Sequence, residues 1–223
     1  MIAGINSCSY NDYPGEMSYV IFLGGCNFRC PYCHNATIVN CQTNTIDEND
    51  VIENLLQRKN FLKAVVITGG EPTLYGEELI RVIKRIKDLG YKVKLDSNGT
   101  NPQLLKKIIS LKLIDYLAID IKNVFSKYDL TAGTKVNVKD VKETIKVIET
   151  SGVDYEFRTT INQTHHTLED IKEIKTYFKD PSKYVLQNYK YSKEQIVDQD
   201  FGCYSEAEFN KIKSELKINI KQA

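Results

Sequence analysis

Short β-branched or aromatic runs alternate with amphipathic stretches along the whole chain, about every 25 to 35 residues, and this alternation constrains the fold more than any other feature. The apolar runs lie at 18–24, 64–68, 92–97, 116–121, 155–161 and 184–188. Helical patterns fill 47–59, 77–89, 102–111, 138–150, 168–178 and 205–217. Most helices carry their own start signal. Thr45 or Asp47, Asn101 followed by Pro102, Asn137, Thr167 and Ser205 each offer a side-chain oxygen to the free amides of a first turn, and Gly90 and Gly152 close helices at their far ends. Six βα units with no linker-like segment predict one α/β domain over 1–223, a partial (β/α)6 barrel short of a complete one. Chemistry in such a domain belongs at the carboxyl ends of the strands.

Composition removes several function classes. Lys plus Arg at 30 against Asp plus Glu at 29 leaves a formal charge of +1, with no basic block, so neither nucleic acid nor an anionic membrane is expected as a partner. Residues 1–10 lack a basic segment followed by an apolar one, and 18 apolar residues never run together, which predicts a cytoplasmic protein. Three of the six cysteines crowd into eight residues, the pattern of a ligand cluster rather than of a disulfide framework. Cys8, Cys41 and Cys203 are expected to be small, indifferent thiols.

The crowded cysteines sit in the loop 24–35, directly after the first predicted strand: Gly24-Gly25-Cys26-Asn27-Phe28-Arg29-Cys30-Pro31-Tyr32-Cys33-His34-Asn35. Intervals of three and then two residues gather Cys26, Cys30 and Cys33 on one tight loop, suited to three irons of a [4Fe–4S] cubane, with the fourth iron left open to chelate a substrate. The rival reading is a zinc knuckle completed by His34.

This cysteine pattern, with the aromatic Tyr32 before the third thiol, closely resembles the signature of the radical S-adenosylmethionine superfamily. The resemblance implies a partial barrel of the radical S-adenosylmethionine type, with the cluster and S-adenosylmethionine as cofactors. Thr68-Gly69-Gly70-Glu71-Pro72, at the end of the second strand, is similar to the superfamily's GGEP motif, in which backbone and glutamate receive the methionine ammonium. Leu95-Asp96-Ser97-Asn98-Gly99-Thr100 and Asp120-Ile121-Lys122 resemble stretches of the glycyl radical enzyme activating enzymes. There the resemblance implies a monovalent cation site from Asp96, Ser97 and Asp120, with a carbonyl near Ala118, and a catalytic Lys122 near the cleavage site. Arg158 occupies the position of an arginine that contacts the cofactor, and Tyr32 joins the cofactor-binding set.

Asp12-Tyr13-Pro14-Gly15 and the run from Phe22 to Asn35 look like the activating proteins of anaerobic ribonucleoside-triphosphate reductase. The resemblance therefore implies hydrogen abstraction from a backbone glycine of a partner glycyl radical enzyme, with a flavodoxin or ferredoxin as electron donor. A radical enzyme acting on a small molecule is the nearest alternative, and a non-catalytic iron–sulfur or zinc module the more distant one. Gln187, Asn188 and Tyr189 are expected at the barrel mouth, and His165 and His166 as loop residues before the helix capped at Thr167.

Overall fold

A computed structural model describes residues 1–221, so the end of the expected 1–223 domain, 222–223, lies outside the described residues. One eight-stranded sheet runs in chain order: β1 (Ile2–Tyr13), β2 (Glu16–Leu23), β3 (Ala64–Gly69), β4 (Lys92–Ser97), β5 (Tyr116–Asp120), β6 (Asp154–Ile161), β7 (Tyr184–Asn188) and β8 (Asn219–Lys221). From β2 to β8 every neighbouring pair is parallel, and β1 is antiparallel to β2. β1 and β8 stand at the two ends of this order, and the barrel is open between them.

The helices are α1 (Ala36–Val39), α2 (Glu48–Arg58), α3 (Glu77–Asp88), α4 (Pro102–Ser110), α5 (Tyr128–Ala132), α6 (Val138–Glu149), α7 (Leu168–Lys175) and α8 (Glu206–Leu216). The expected caps are in place. Asp47 rather than Thr45 accepts from the Asn49 amide, Asn101 from Leu104 and Asn137 from Lys139, while Thr167 with Asp170 and Ser205 with Glu208 form reciprocal capping boxes.

The parallel sheet has seven strands rather than the expected six, and the expected first strand is the second arm of a hairpin. β1 escapes a pattern search because its residues are small and polar along an edge, and β8 because it has three residues. Pro14 and Gly15, expected before the first strand, form the hairpin turn between Tyr13 and Glu16; Gly15 supplies the positive φ of 74° that such a turn needs. α1 and α5 are too short to show helical periodicity.

Alternation along the strands divides the sheet into two faces. Val65, Ile67, Val93, Leu95, Leu117, Ile119 and Phe157 point outward into one large apolar core with Leu79, Ile83, Ile86, Leu105, Ile108, Ile145 and Ile148 of the helices. The barrel side starts as a small apolar floor of Tyr13, Val20, Ala64 and Val66, with Phe22 and Tyr116 against it. Above that floor the inward positions of β4, β5 and β6 are charged: Lys94 and Asp96, Asp120, and Glu156 and Arg158. Register brings them side by side, with Asp96 opposite Ala118 and Asp120 opposite Arg158.

Candidate active site

The loop after β2 is fixed from several sides. Gly25 N donates to Ile38 O of α1 (2.9 Å), and Arg29 N to Ala132 O of α5 (2.8 Å). Asn27 accepts from Asn98 Nδ2 at 2.7 Å and donates to Thr100 Oγ1 at 2.8 Å, which ties the loop to the end of β4. Ile196 N and Val197 N donate to the carbonyls of Cys33 and Pro31 at 3.2 and 3.0 Å, so the irregular segment 189–201 straps the far side.

The two glycines at the end of β3 serve this packing directly. Gly70 N donates to Leu23 O and Glu71 N to Gly25 O, both at 2.8 Å. A Cβ on Gly70 would stand 1.7 Å from Gly25 O, and one on Gly69 2.4 Å from Leu23 N and O, so any side chain here pushes the cysteine loop away.

A cavity of about 260 Å3 opens at the carboxyl ends of the strands. Cys26, Cys30, Cys33, Gly69, Gly70, Asp96, Ser97, Asp120, Lys122 and Arg158 line it, together with Phe28, Thr68, Asn98 and Gln187. The structure thus brings together every residue expected to hold the cluster, cofactor or cation except Tyr32 and Glu71; of the three residues expected at the barrel mouth Gln187 lines the cavity, while Asn188 and Tyr189 do not.

Tyr32 turns its ring into a nest of His165, Tyr189 and Phe201, with centroids 5.8, 6.1 and 6.3 Å away, and its buried hydroxyl has no hydrogen-bond partner among the described residues. Glu71 is fully buried beneath the cavity. Its Oε1 accepts from Thr73 N (3.0 Å), Thr73 Oγ1 (2.5 Å) and Ser97 Oγ (2.8 Å), and its Oε2 from Asn98 N (2.6 Å). Burial raises its pKa despite these four donors. The carboxylate therefore braces the end of β4 against the end of β3.

The charged side chains form one chain of ion pairs. Arg158 Nε meets Asp120 Oδ1 at 2.9 Å and Nη1 meets Asp96 Oδ2 at 3.0 Å; Lys122 Nζ meets Asp120 Oδ2 at 3.2 Å. Lys94, with no exposed surface, stands 3.2 Å from Asp96 Oδ1 and donates to Asp12 O at 2.6 Å. Enclosure alone would raise the Asp120 pKa, but Arg158 and then Lys122 hold it well below the carboxylate range. Burial would lower the Lys122 pKa, yet Asp120 and then Cys30 hold it well above the ordinary lysine value. Lys122 is thus a fixed cation and not a base at neutral pH.

His165 and His166 lie in the loop before α7 as expected, but nothing in the sequence marks what His166 does there. It is buried, its Nε2 donates to Lys122 O at 2.8 Å, and its Nδ1 accepts from Asn162 N at 3.3 Å, an arrangement that requires the neutral ring. Burial pushes its pKa down to about 4. The unfolded chain binds this proton near pH 6.5 and the folded chain does not, so stability is full above that pH and falls as pH drops toward about 4, by about 3 kcal/mol in all. Urea titrations across that window are expected to show this slope in the natural chain and a shallower one in His166→Gln; equal slopes would remove His166 as its source.

The residues fit an iron–sulfur cluster better than a zinc ion. His34 Nε2 is engaged by Lys190 O at 2.6 Å, and among the described residues no three His, Cys, Asp or Glu side chains converge as ligands of one metal ion. Cubane thiolates each bind a different iron and stand apart, within one enclosure that also has room for a further ligand. Burial raises the Cys26 thiol pKa and pushes Cys30 up to about 11, so both stay neutral unless a bound metal displaces their protons to solvent.

The family model described as the Radical SAM superfamily matches residues 20–178. The chain belongs to that superfamily. Members of this superfamily use a [4Fe–4S] cluster and S-adenosylmethionine. A Methanocaldococcus jannaschii protein named for glycyl-radical enzyme activation is 38% identical over 198 residues, 85% of this chain and 80% of the relative. The pyruvate formate-lyase-activating enzyme of Listeria monocytogenes is 28% identical over 186 residues, 73% of this chain and 75% of that enzyme. Among solved structures, Streptococcus suis SuiB bound to S-adenosylmethionine is similar with a TM-score of 0.70 at 16% identity, over 92% of this chain and 51% of that one. This chain spans about half the length of the first solved structures it matches, and their likeness shows the fold.

Proposed function

We propose that this chain activates a glycyl radical enzyme, and that its partner is an anaerobic ribonucleoside-triphosphate reductase. The observation that carries the activase reading is the 38% identity, across 80% of its length, to a relative named for glycyl-radical enzyme activation. The open side of the sheet supports it, because a glycine-bearing loop of a folded partner needs lateral access that a closed barrel would deny. The choice of ribonucleotide reductase rests on the residues from Phe22 to Asn35 and the Pro14–Gly15 turn.

When bound, the cluster would supply the single electron for reductive cleavage of S-adenosylmethionine, the chemistry needed to remove a hydrogen atom from the target glycine. Cys26, Cys30 and Cys33 would hold the cluster. The cations Lys122 and Arg158 receive the methionine carboxylate, while the backbone at Gly69 and Gly70 orients its ammonium. Phe28 and Val39 give the cavity an apolar wall. Single low-potential electrons come from a flavodoxin or ferredoxin.

Anaerobic incubation of the reconstituted protein with S-adenosylmethionine, dithionite and an anaerobic ribonucleotide reductase is expected to yield 5′-deoxyadenosine and a glycyl doublet in the EPR spectrum. Deoxyadenosine without the doublet would move the reading to another partner or to a small molecule. Neither signal would reject it.

A further inference from the structure

The resemblance that marks Asp96, Ser97 and Asp120 also implies a monovalent cation between them, and the oxygens of this chain do not fit one. Asp96 Oδ1 faces Lys94 Nζ at 3.2 Å, an ion pair without hydrogen-bond alignment, and Oδ2 accepts from Arg158 Nη1 at 3.0 Å. Asp120 Oδ1 accepts from Arg158 Nε at 2.9 Å and Oδ2 from Lys122 Nζ at 3.2 Å. Ser97 Oγ donates to Glu71 Oε1 at 2.8 Å and accepts from Gly99 N at 3.1 Å. A sodium or potassium ion needs several oxygens turned toward one point; here three of the four carboxylate oxygens and Ser97 Oγ are hydrogen-bonded within the protein, and the fourth, Asp96 Oδ1, has the Lys94 ammonium 3.2 Å away where an ion would need to come.

We infer that the cation of this site is built into the chain: the Arg158 guanidinium stands between Asp96 and Asp120 in place of a metal ion, and S-adenosylmethionine binds without one. Strand geometry allows this placement. Arg158 is in register with Asp120 across β5 and β6, and its planar fork reaches the next carboxylate along, on β4, with a second nitrogen. Lys94 backs the pair from below, anchored on Asp12 O, so Asp96 is held between two cations. Admitting a metal ion would require the nearly buried guanidinium to give up two ion pairs, the one to Asp96 being nearly buried on both sides. Such an ion would then face Arg158 and Lys122 as like charges.

The test reads cofactor binding rather than turnover and is independent of which substrate follows. S-adenosylmethionine affinity of the reconstituted protein is measured by anaerobic equilibrium dialysis in potassium, sodium and tetramethylammonium salts at matched ionic strength. The expected result is one affinity in all three. Tighter binding in potassium or sodium than in tetramethylammonium overturns the inference. In Arg158→Ala, affinity is expected to fall about tenfold and to recover when guanidinium or potassium is added. A folded, cluster-loaded Arg158→Ala protein whose affinity none of these ions changes would also overturn it; where that variant fails to fold, the comparison of salts in the natural chain decides.

Discussion

Cys30→Ala is expected to abolish cluster binding and S-adenosylmethionine cleavage while leaving the fold intact. Cys30 is the middle and most buried of the three cysteines proposed as ligands, and it belongs to the main core together with Phe28 and Tyr128. Two remaining thiolates, on the flanks of a loop whose centre has lost its ligand, do not retain a cubane. As a packing change the substitution is small, a single sulfur atom, and costs about 1 kcal/mol. The loop keeps its other attachments: Gly25 to α1, Arg29 to α5, and the strap at Ile196 and Val197. Iron and sulfide content after anaerobic reconstitution, deoxyadenosine formation and circular dichroism together check this. Native-like dichroism with no cluster and no deoxyadenosine is the expected set, and a retained cluster would remove Cys30 from the ligand set.

What the sequence discloses here follows from how local each signal is. Cys26, Cys30 and Cys33 stand out as proposed ligands because their spacing lies within eight residues, and the caps at Asp47, Asn101, Thr167 and Ser205 can be read because a cap and its amide are two or three residues apart. Lys94 and Glu156 were illegible as barrel-interior residues. A lone charge in a strand reads as a solvent-facing position, and only the register of β4, β5 and β6 shows that their polar sides meet inside. An alternation test on Lys92-Val93-Lys94-Leu95-Asp96 would have found a polar face there. The strap at 189–201 has no periodicity to detect, since Gln195 organises it through single bonds to Tyr189 Oη and to the carbonyls of Val197 and Gln199. Tyr32 and His166 act through partners more than 40 residues apart on different segments, His166 reaching Lys122 and Tyr32 the rings of Tyr189 and Phe201.

Glu71→Ala is expected to produce the largest loss of stability of any single change at this site, although the motif around Glu71 marks it first as a cofactor contact. Its carboxylate is the shared acceptor for Thr73 N, Thr73 Oγ1, Ser97 Oγ and Asn98 N, all in an interior that water does not reach. Alanine leaves those donors without an acceptor and opens a void between β3 and β4. An unsatisfied buried donor costs about 1–3 kcal/mol; the two hydroxyls can turn to other acceptors but the two amides cannot, so the expected loss is about 3–5 kcal/mol. Glu71→Gln keeps the shape and an acceptor oxygen while adding a donor that meets donors, so it should fall between the natural chain and Glu71→Ala. Denaturant unfolding of the three cluster-free proteins separates the bracing role from a purely cofactor-binding one, because no ammonium is present in that measurement. Equal stability of all three would show that the end of β4 does not depend on Glu71. A graded loss would show that the acid of this motif holds Asn98 and Ser97 in place, and through Asn98 the cysteine loop at Asn27.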